Sequence, residues 1–485
     1  MAARPRVFAT QSIRLAGTTE EVVVGGRDKF HLLPKAFEGV QQIGVIGYSS
    51  QGHAQAQNLR DSLFGTRIKV VVGLRGGSSS FAKAEEAGFT AENGTAGEMF
   101  DVIAESDLVI LLIADAAQAK LFQEVQNAMK PGSTLGLSHG FLLGHMKNIG
   151  ASFRNDINVI GVCPKGMGPS VRRLYVQGKD VNGAGINSSY AVHQDFTGNA
   201  HDIALGWAVA IGSPYVFETT LEKEYLSDIS GERNVLLGGV WAIAEAMNDY
   251  YVGEGMLPQE AFAASAMSIT GPISETISKE GLLAVVGGLP ESERGMFFRT
   301  LYLSYRAALP IVEQIYNEVK TGREIANVID QTNALEKYPW TRVDGTKMWR
   351  TGEQARKGNT QVPLDPCTAG SYLGIMMAQI EVLLANGHCW SEIVNETIIE
   401  ATDSLNPYMA ARGIDYLIDN CSTTARLGGR KWGPIFRQMV VGDVMPKVRV
   451  TQLPEDFVGW FYNHPVHEAL RVCGQFKPSV SIAVQ

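Results

Sequence analysis

Glu224, Asp228 and Glu232 lie four residues apart in Glu224-Tyr-Leu-Ser-Asp228-Ile-Ser-Gly-Glu232, so on a helix they share one face. Asn395-Glu396-Thr-Ile-Ile-Glu400 repeats the spacing. Like charges so placed cost a helix roughly 0.2–0.5 kcal/mol per pair, a penalty that a cation removes. Magnesium is a hard ion that takes oxygen ligands and is usually held by one or two carboxylates with water and substrate. Two such pairs brought together would hold two ions. Spacing alone also allows a solvated acidic face, and Arg233 competes as an ordinary ion-pair partner. The run Val235-Leu-Leu-Gly-Gly-Val-Trp241 is too apolar for a surface, which favours a liganded or paired role for Asp228 and Glu232.

A second chemistry is written in Ile43-Gly-Val-Ile-Gly47-Tyr-Ser49-Ser50-Gln51-Gly52. A strand, a tight turn and a helix start of this kind bring the backbone close to a pyrophosphate, which sits on the free N–H groups of the helix N-terminus. Ser49 replaces the middle glycine of the dinucleotide fingerprint. The next strand ends in Leu74-Arg75-Gly-Gly-Ser78-Ser-Ser80, where an NAD site would carry an acid for the ribose hydroxyl. A planar cation beside hydroxyl donors suits a 2′-phosphate instead, so NADPH is expected. His139 and Lys165 each follow an expected strand, where ligands of open α/β sheets bind. A role at the nicotinamide and a purely structural role stand equal for both. Ser422 lies in Asp419-Asn-Cys-Ser422-Thr-Thr, the small polar character of a helix start or ligand loop.

Positioning these groups requires two kinds of architecture. From Gln42 to Tyr215, short apolar runs (43–47, 69–74, 107–113, 133–138 and 158–163) alternate with helical patterns such as 52–63 and 117–129. Nearly continuous apolar strands alternating with helices predict a doubly wound parallel sheet, a Rossmann-like domain over 1–217. No strong periodicity marks the first 35 or so residues. Beyond Phe217 long amphipathic segments (221–251, 258–278, 294–321, 369–386 and 390–404) predict an all-α domain over 218–485, interrupted by a loose polar stretch at 336–366. A faint internal repeat is also present. A shift of 132 residues lays Gly238, Gly255, Glu260, Thr270 and Gly281 on Gly370, Gly387, Glu392, Thr402 and Gly413. A duplicated helical unit is the expectation. Glu396 and Glu400 fall on Ala264 and Ser268, so only one copy carries acids there.

Composition narrows the function classes. A net charge of −8 without basic runs argues against a nucleic-acid partner. Five cysteines, none in a C-x-x-C pair, argue against a disulfide framework or structural zinc and for a reducing compartment. No apolar stretch is read as long enough to span a bilayer, so no membrane role is expected. Met1-Ala-Ala-Arg-Pro-Arg lacks the apolar core of a secretory signal and reads as a trimmed transit-peptide stub or a plain terminus.

Seven motifs, in order and spacing from about residue 20 to the end, resemble the long, plant-type ketol-acid reductoisomerases: Gly47…Ser50-Gln51-Gly52, Leu74-Arg75…Ser78, Leu137-Ser-His139-Gly-Phe, Cys163-Pro-Lys165-Gly-Met-Gly-Pro-Ser, Ser227-Asp228…Gly231-Glu232-Arg233, Asn395-Glu396…Glu400 and Asp419-Asn-Cys-Ser422-Thr-Thr-Ala-Arg. The chain departs from the family at Ser49 and at Asn234, where glycine is usual. The resemblance implies a magnesium-dependent alkyl migration in 2-acetolactate or 2-aceto-2-hydroxybutanoate, followed by reduction with NADPH, in branched-chain amino-acid synthesis. It implies that Asp228 bridges two magnesium ions, that Glu232 completes one site and moves a proton, and that Glu396 and Glu400 serve the second ion or the substrate. It further implies that Ser422 holds substrate and that His139 and Lys165 lie between cofactor and metals. A knotted helical domain, a homodimer or larger homo-oligomer, and a plastid stroma or else a bacterial cytoplasm are also implied. Two other classes share parts of this pattern. An NADP-dependent hydroxyacid dehydrogenase would need no acid set, and a non-catalytic NADP-binding protein would tolerate loss of His139 and Lys165.

Overall fold

The computed structural model describes residues 5–358, 361–478, 480–482 and 484. The chain divides into two compact units, Met1–Tyr225 with Gly474–Val480 and Leu226–Cys473 with Ser481–Gln485. The division falls within the helix Leu221–Arg233.

The first unit is built on one ten-stranded sheet. Its strands are β1 (Gln11–Leu15), β2 (Thr18–Val24), β3 (Gln42–Ile46), β4 (Lys69–Leu74), β5 (Ala96–Glu98), β6 (Leu108–Leu111), β7 (Thr134–Leu137), β8 (Asn158–Pro164), β9 (Ser188–Gln194) and β10 (Tyr215–Glu218). The order is β1-β2-β10-β9-β8-β7-β6-β3-β4-β5. From β5 to β8 every pairing is parallel, with the strand order reversing between β3 and β6. That is the Rossmann arrangement, and its switch point places ligands beyond the carboxyl ends of those two strands. β3 and β6 are almost wholly buried, as helices on both faces demand. Beyond β8 the sheet departs from the expected all-parallel form: β9 runs antiparallel to β8, and β2 and β1 continue antiparallel from β10. The first 35 or so residues, which carry no strong periodicity, contain the β1–β2 hairpin. Its strands are short and half polar, and only Ile13, Leu15, Val22 and Val23 turn inward.

Under the sheet, the helix Ala200–Ala210 is buried nearly all round. Its Trp207, fully buried, donates from Nε1 to Gln55 Oε1 at 2.9 Å. Gln55 Nε2 in turn donates to Ser138 Oγ (2.9 Å), which donates to the Val162 carbonyl (2.9 Å). Satisfying a buried amide in this way avoids a penalty of about 1–3 kcal/mol and fixes the ends of β7 and β8 relative to the helix Ser50–Ser62, which carries Gln55.

Helices make up the second unit. The expected helix 221–251 is two, Leu221–Arg233 and Gly238–Gly253. The expected 258–278 is broken by π-helical turns and by non-helical backbone at Gly271 before Pro272. The stretch 336–366 also needs correction: it contains the helix Lys347–Lys357, whose Trp349 is buried edge-on against Phe262. Contrary to the expectation that no stretch is long enough to cross a bilayer, Pro366–Ala385 (20 residues) passes that test by length and composition, yet 89% of its apolar 18-residue stretch is buried inside the fold, as a core helix is. All five cysteines are free thiols.

The repeat is visible in the elements. Pro258–Phe262, the π turns Ala263–Met267 and Ile269–Ile273, and the helix Ser274–Glu280 recur, each shifted by 132 residues, as Trp390–Val394, Asn395–Ile399, Ala401–Leu405 and Asn406–Arg412. The long helix Glu291–Lys320 and the helix Thr423–Met439 start at the same shift.

Candidate active site

In the first unit, the turn after β3 depends on Gly47. Its φ of 101° suits glycine, and a Cβ there would stand 2.7 Å from the Leu112 carbonyl oxygen. Gly52, in the first turn of the helix Ser50–Ser62, packs so close that a Cβ would stand 2.2 Å from the Gly47 carbonyl. The extended Ser49 caps this helix without a side-chain bond. The strand-end loop Cys163–Gly168 is tied to the same turn: Gln51 Nε2 donates to the Gly166 carbonyl at 2.8 Å, and Ser50 Oγ accepts from Gly168 N at 3.2 Å. Arg75, exposed, follows the end of β4, next to the Gly47 turn, since Gly47 N donates to the Gly73 carbonyl. Ser78 Oγ accepts from Ser80 N at 3.2 Å and shapes the loop into the helix Ser80–Glu86. Gly47, Ser49, Ser50, Gln51 and Gly52 thus sit at the end of β3, at the switch point, and Arg75, Ser78 and Ser80 at the end of its neighbour β4.

His139 and Lys165, at the ends of β7 and β8, are brought together by Glu224. Its Oε2 lies 3.2 Å from His139 Nδ1 and accepts from Gly140 N at 2.6 Å; Oε1 lies 3.5 Å from Lys165 Nζ. Glu224 and Lys165 are both buried. Burial pushes the Glu224 carboxyl up, but the charges of His139 and Lys165 and the bonds from His139 and Gly140 outweigh it and hold it well below the usual range. Sequence reasoning placed Glu224 on the acidic face without giving it a role. Its partners Lys165 and His139 lie 59 and 85 residues away in sequence, beyond any local pattern.

In the second unit, Asp228, Glu396 and Glu400 converge: one carboxylate oxygen from each lies within 4.8 Å of the others. Glu396 and Glu400 are buried and Asp228 is half-buried. They come from Leu221–Arg233 and from the π turn Asn395–Ile399 with the residue after it. Three carboxylates so close, two of them out of water, are a costly arrangement without a cation, and an all-oxygen set suits magnesium. Glu232 stands outside this group, with Oε2 accepting from Arg233 Nη1 at 2.8 Å. Ser422 is exposed and caps the helix Thr423–Met439, its Oγ accepting from Ala425 N at 3.0 Å. Its neighbour Cys421 reports on the site: burial, and then the carboxylates of Glu232, Glu400 and Asp228, push its thiol well above the ordinary value.

A Rossmann-like unit with a glycine turn and a helical unit with a carboxylate cluster define an oxidoreductase that uses a nicotinamide cofactor. The comparisons agree. Residues 39–215 match the family model "Acetohydroxy acid isomeroreductase, NADPH-binding domain", and 221–360 match "Ketol-acid reductoisomerase, C-terminal domain". The chain is 51% identical to the chloroplastic ketol-acid reductoisomerase of Spinacia oleracea, covering 99% of this chain and 82% of that one. It is 50% identical to that of Pisum sativum, covering 99% and 84%. The solved structure of an NADH-preferring ketol-acid reductoisomerase from an uncultured archaeon shares the fold, with a TM-score of 0.57 at 23% identity over 70% of this chain and 99% of that one. The chain belongs to the ketol-acid reductoisomerase family, the long plant-type class, and is an isomeroreductase of branched-chain amino-acid synthesis.

Proposed function

We propose that the chain converts 2-acetolactate or 2-aceto-2-hydroxybutanoate to the 2,3-dihydroxy acid by a magnesium-dependent alkyl migration and an NADPH-dependent reduction, on the way to valine, leucine and isoleucine. The observation that carries this reading is the convergence of Asp228, Glu396 and Glu400. When bound, the metal supplies Lewis acidity at the ketone and the reduced nicotinamide supplies the hydride. Asp228, Glu396 and Glu400, joined by Glu232, hold two magnesium ions. Glu232, steadied by Arg233, takes the proton of the tertiary hydroxyl as that oxygen becomes the new carbonyl, and delivers it to the alkoxide formed from the former ketone. Ser422 offers its hydroxyl to the substrate. Glu224 fixes His139 and Lys165 toward the nicotinamide. Gly47, Ser49, Ser50, Gln51 and Gly52 cradle the pyrophosphate, while Arg75, Ser78 and Ser80 take the 2′-phosphate.

Residues 1–217 are read as the NADP-binding domain and 218–485 as the knotted metal- and substrate-binding domain. A homodimer or larger homo-oligomer is proposed, as is the plastid stroma, since the spinach and pea relatives carry chloroplastic in their names. The test is NADPH oxidation with 2-acetolactate, with and without magnesium, in wild type and Asp228→Asn. We expect Asp228→Asn to abolish turnover with NADPH affinity within about 2-fold of wild type. An active, metal-independent Asp228→Asn protein would falsify the two-metal reading.

A further inference from the structure

One step before Asp228 on its helix stands Ser227, fully buried. Its Oγ donates to Glu392 Oε1 at 2.9 Å. Glu392 is itself 1% exposed and lies one helical turn before Glu396, on the helix Trp390–Val394 that runs directly into the π turn carrying Glu396. The other oxygen of Glu392 lies 3.0 Å from His388 Nδ1, and His388 Nε2 lies 2.8 Å from the Tyr316 hydroxyl. A carboxylate only accepts, so Nδ1–H donates to Glu392; in the neutral imidazole Nε2 then accepts from Tyr316. The chain of four groups runs from the long helix Glu291–Lys320 through the turn before Trp390 to the helix Leu221–Arg233.

We propose that Ser227, Glu392, His388 and Tyr316 form a buried positioning relay that sets the register between the two acid-bearing elements, and so the spacing of Asp228 against Glu396 and Glu400. The inference rests on the metal reading above. The three carboxylates repel one another, and the force pushes the two elements apart. The Ser227–Glu392 bond joins those elements one residue from one ligand and four from another, where it opposes that force most directly. Gln379 braces the far side: its Nε2 donates to Thr397 Oγ1 at 3.0 Å and its Oε1 accepts from Val235 N at 3.5 Å. None of the four relay residues belongs to the carboxylate group itself, so their part is to place ligands. Outer-shell partners of this kind are worth on the order of 10–100-fold in metal affinity.

The experiment is calorimetric titration of magnesium into the full chain, as wild type, Ser227→Ala, Glu392→Ala and Glu392→Gln, with the magnesium-induced rise in Tm as a second readout. Ser227→Ala and Glu392→Ala are expected to bind magnesium about 10-fold or more weakly, with the loss in activity appearing mainly in the magnesium requirement. Glu392→Gln is expected to stay within about 3-fold, because the amide keeps a carbonyl for Ser227 and the His388 ring takes its other tautomer. If Glu392→Ala does not fold, Ser227→Ala, which removes a single hydroxyl, decides. Folded alanine variants with wild-type magnesium affinity would overturn the relay and leave the metal reading intact. Wild type that binds no magnesium would overturn both.

Discussion

Arg75 and Glu224 show two ways in which a single charge can be used. Arg75 is exposed at a strand end, where its worth lies in what approaches it. A charge-assisted hydrogen bond contributes about 1.5–3 kcal/mol, so Arg75→Glu should weaken NADPH by roughly 10- to 100-fold beyond any effect on NADH, measured by direct binding of both. Equal losses would remove Arg75 from the 2′-phosphate. Glu224 is the opposite case, a charge sealed in the fold whose partners are His139, Lys165 and Gly140. Residue by residue, the candidate site was legible where a motif fixes the backbone, as at Gly47 and Gly52. It was also legible where acids recur at a helical period, as at Asp228, Glu396 and Glu400. Glu224 received no role because its partners lie 59 to 85 residues away in sequence, and no local pattern encodes that distance.

Among elements, the pivot is Arg233, at the end of its helix and fully buried. Its Nε donates to Glu324 Oε1 at 2.9 Å, and Lys431 pairs with both Glu324 and Glu318, so four helices meet at one charge cluster. Burial alone would raise the Glu324 carboxyl, but Arg233 and Lys431 outweigh it and hold it below its ordinary 4.5. A carboxyl depressed in the folded state stabilises fully above the unfolded value, and that stability is lost as pH falls through the folded one. Thermal melts should therefore show an acid limb beginning below about pH 4.5. Glu324→Gln should flatten that limb and cost on the order of 1–3 kcal/mol at neutral pH, since it leaves buried Arg233 with Glu232 as its remaining ion-pair partner. A Glu324→Gln protein with wild-type Tm at pH 7 would contradict this. Element type was legible where apolar runs are short and bounded: β4 occupies its expected residues, 69–74. Helix breaks were not, because Val235–Leu237 is apolar throughout and hides the interruption after Arg233. The kink at Gly271-Pro272 was signalled by the proline and overridden by the amphipathic pattern around it.

The whole second unit is organised by its repeat. Where Glu400 sits in one copy, Ser268 sits in the other, and it does structural work: Oγ donates to the Pro363 carbonyl at 2.8 Å and accepts from Asp365 N at 3.1 Å. Ser268→Ala should cost about 1–2 kcal/mol by losing those bonds, seen as a lower Tm, with turnover and magnesium requirement unchanged. A fall in turnover at full folding would mean that both copies take part in the chemistry. A few scattered sequence identities hinted at this duplication; the shared bounds of the helices and π turns make it plain, because backbone geometry persists after side chains have changed.

Paired π turns are the feature with the widest reach. Such turns distort a helix and commonly accompany functional sites, and both copies have them, though only one presents acids. In the first copy the π turns Ala263–Met267 and Ile269–Ile273 carry no acid, and Ser268 between them spends its hydroxyl on backbone groups of the fold. In the second copy the turn Asn395–Ile399 and the residue after it bring Glu396 and Glu400 to Asp228. One backbone distortion therefore meets two demands within a single chain: in the first copy only packing limits what can be changed, while in the second any relaxation of the turn also moves two carboxylates.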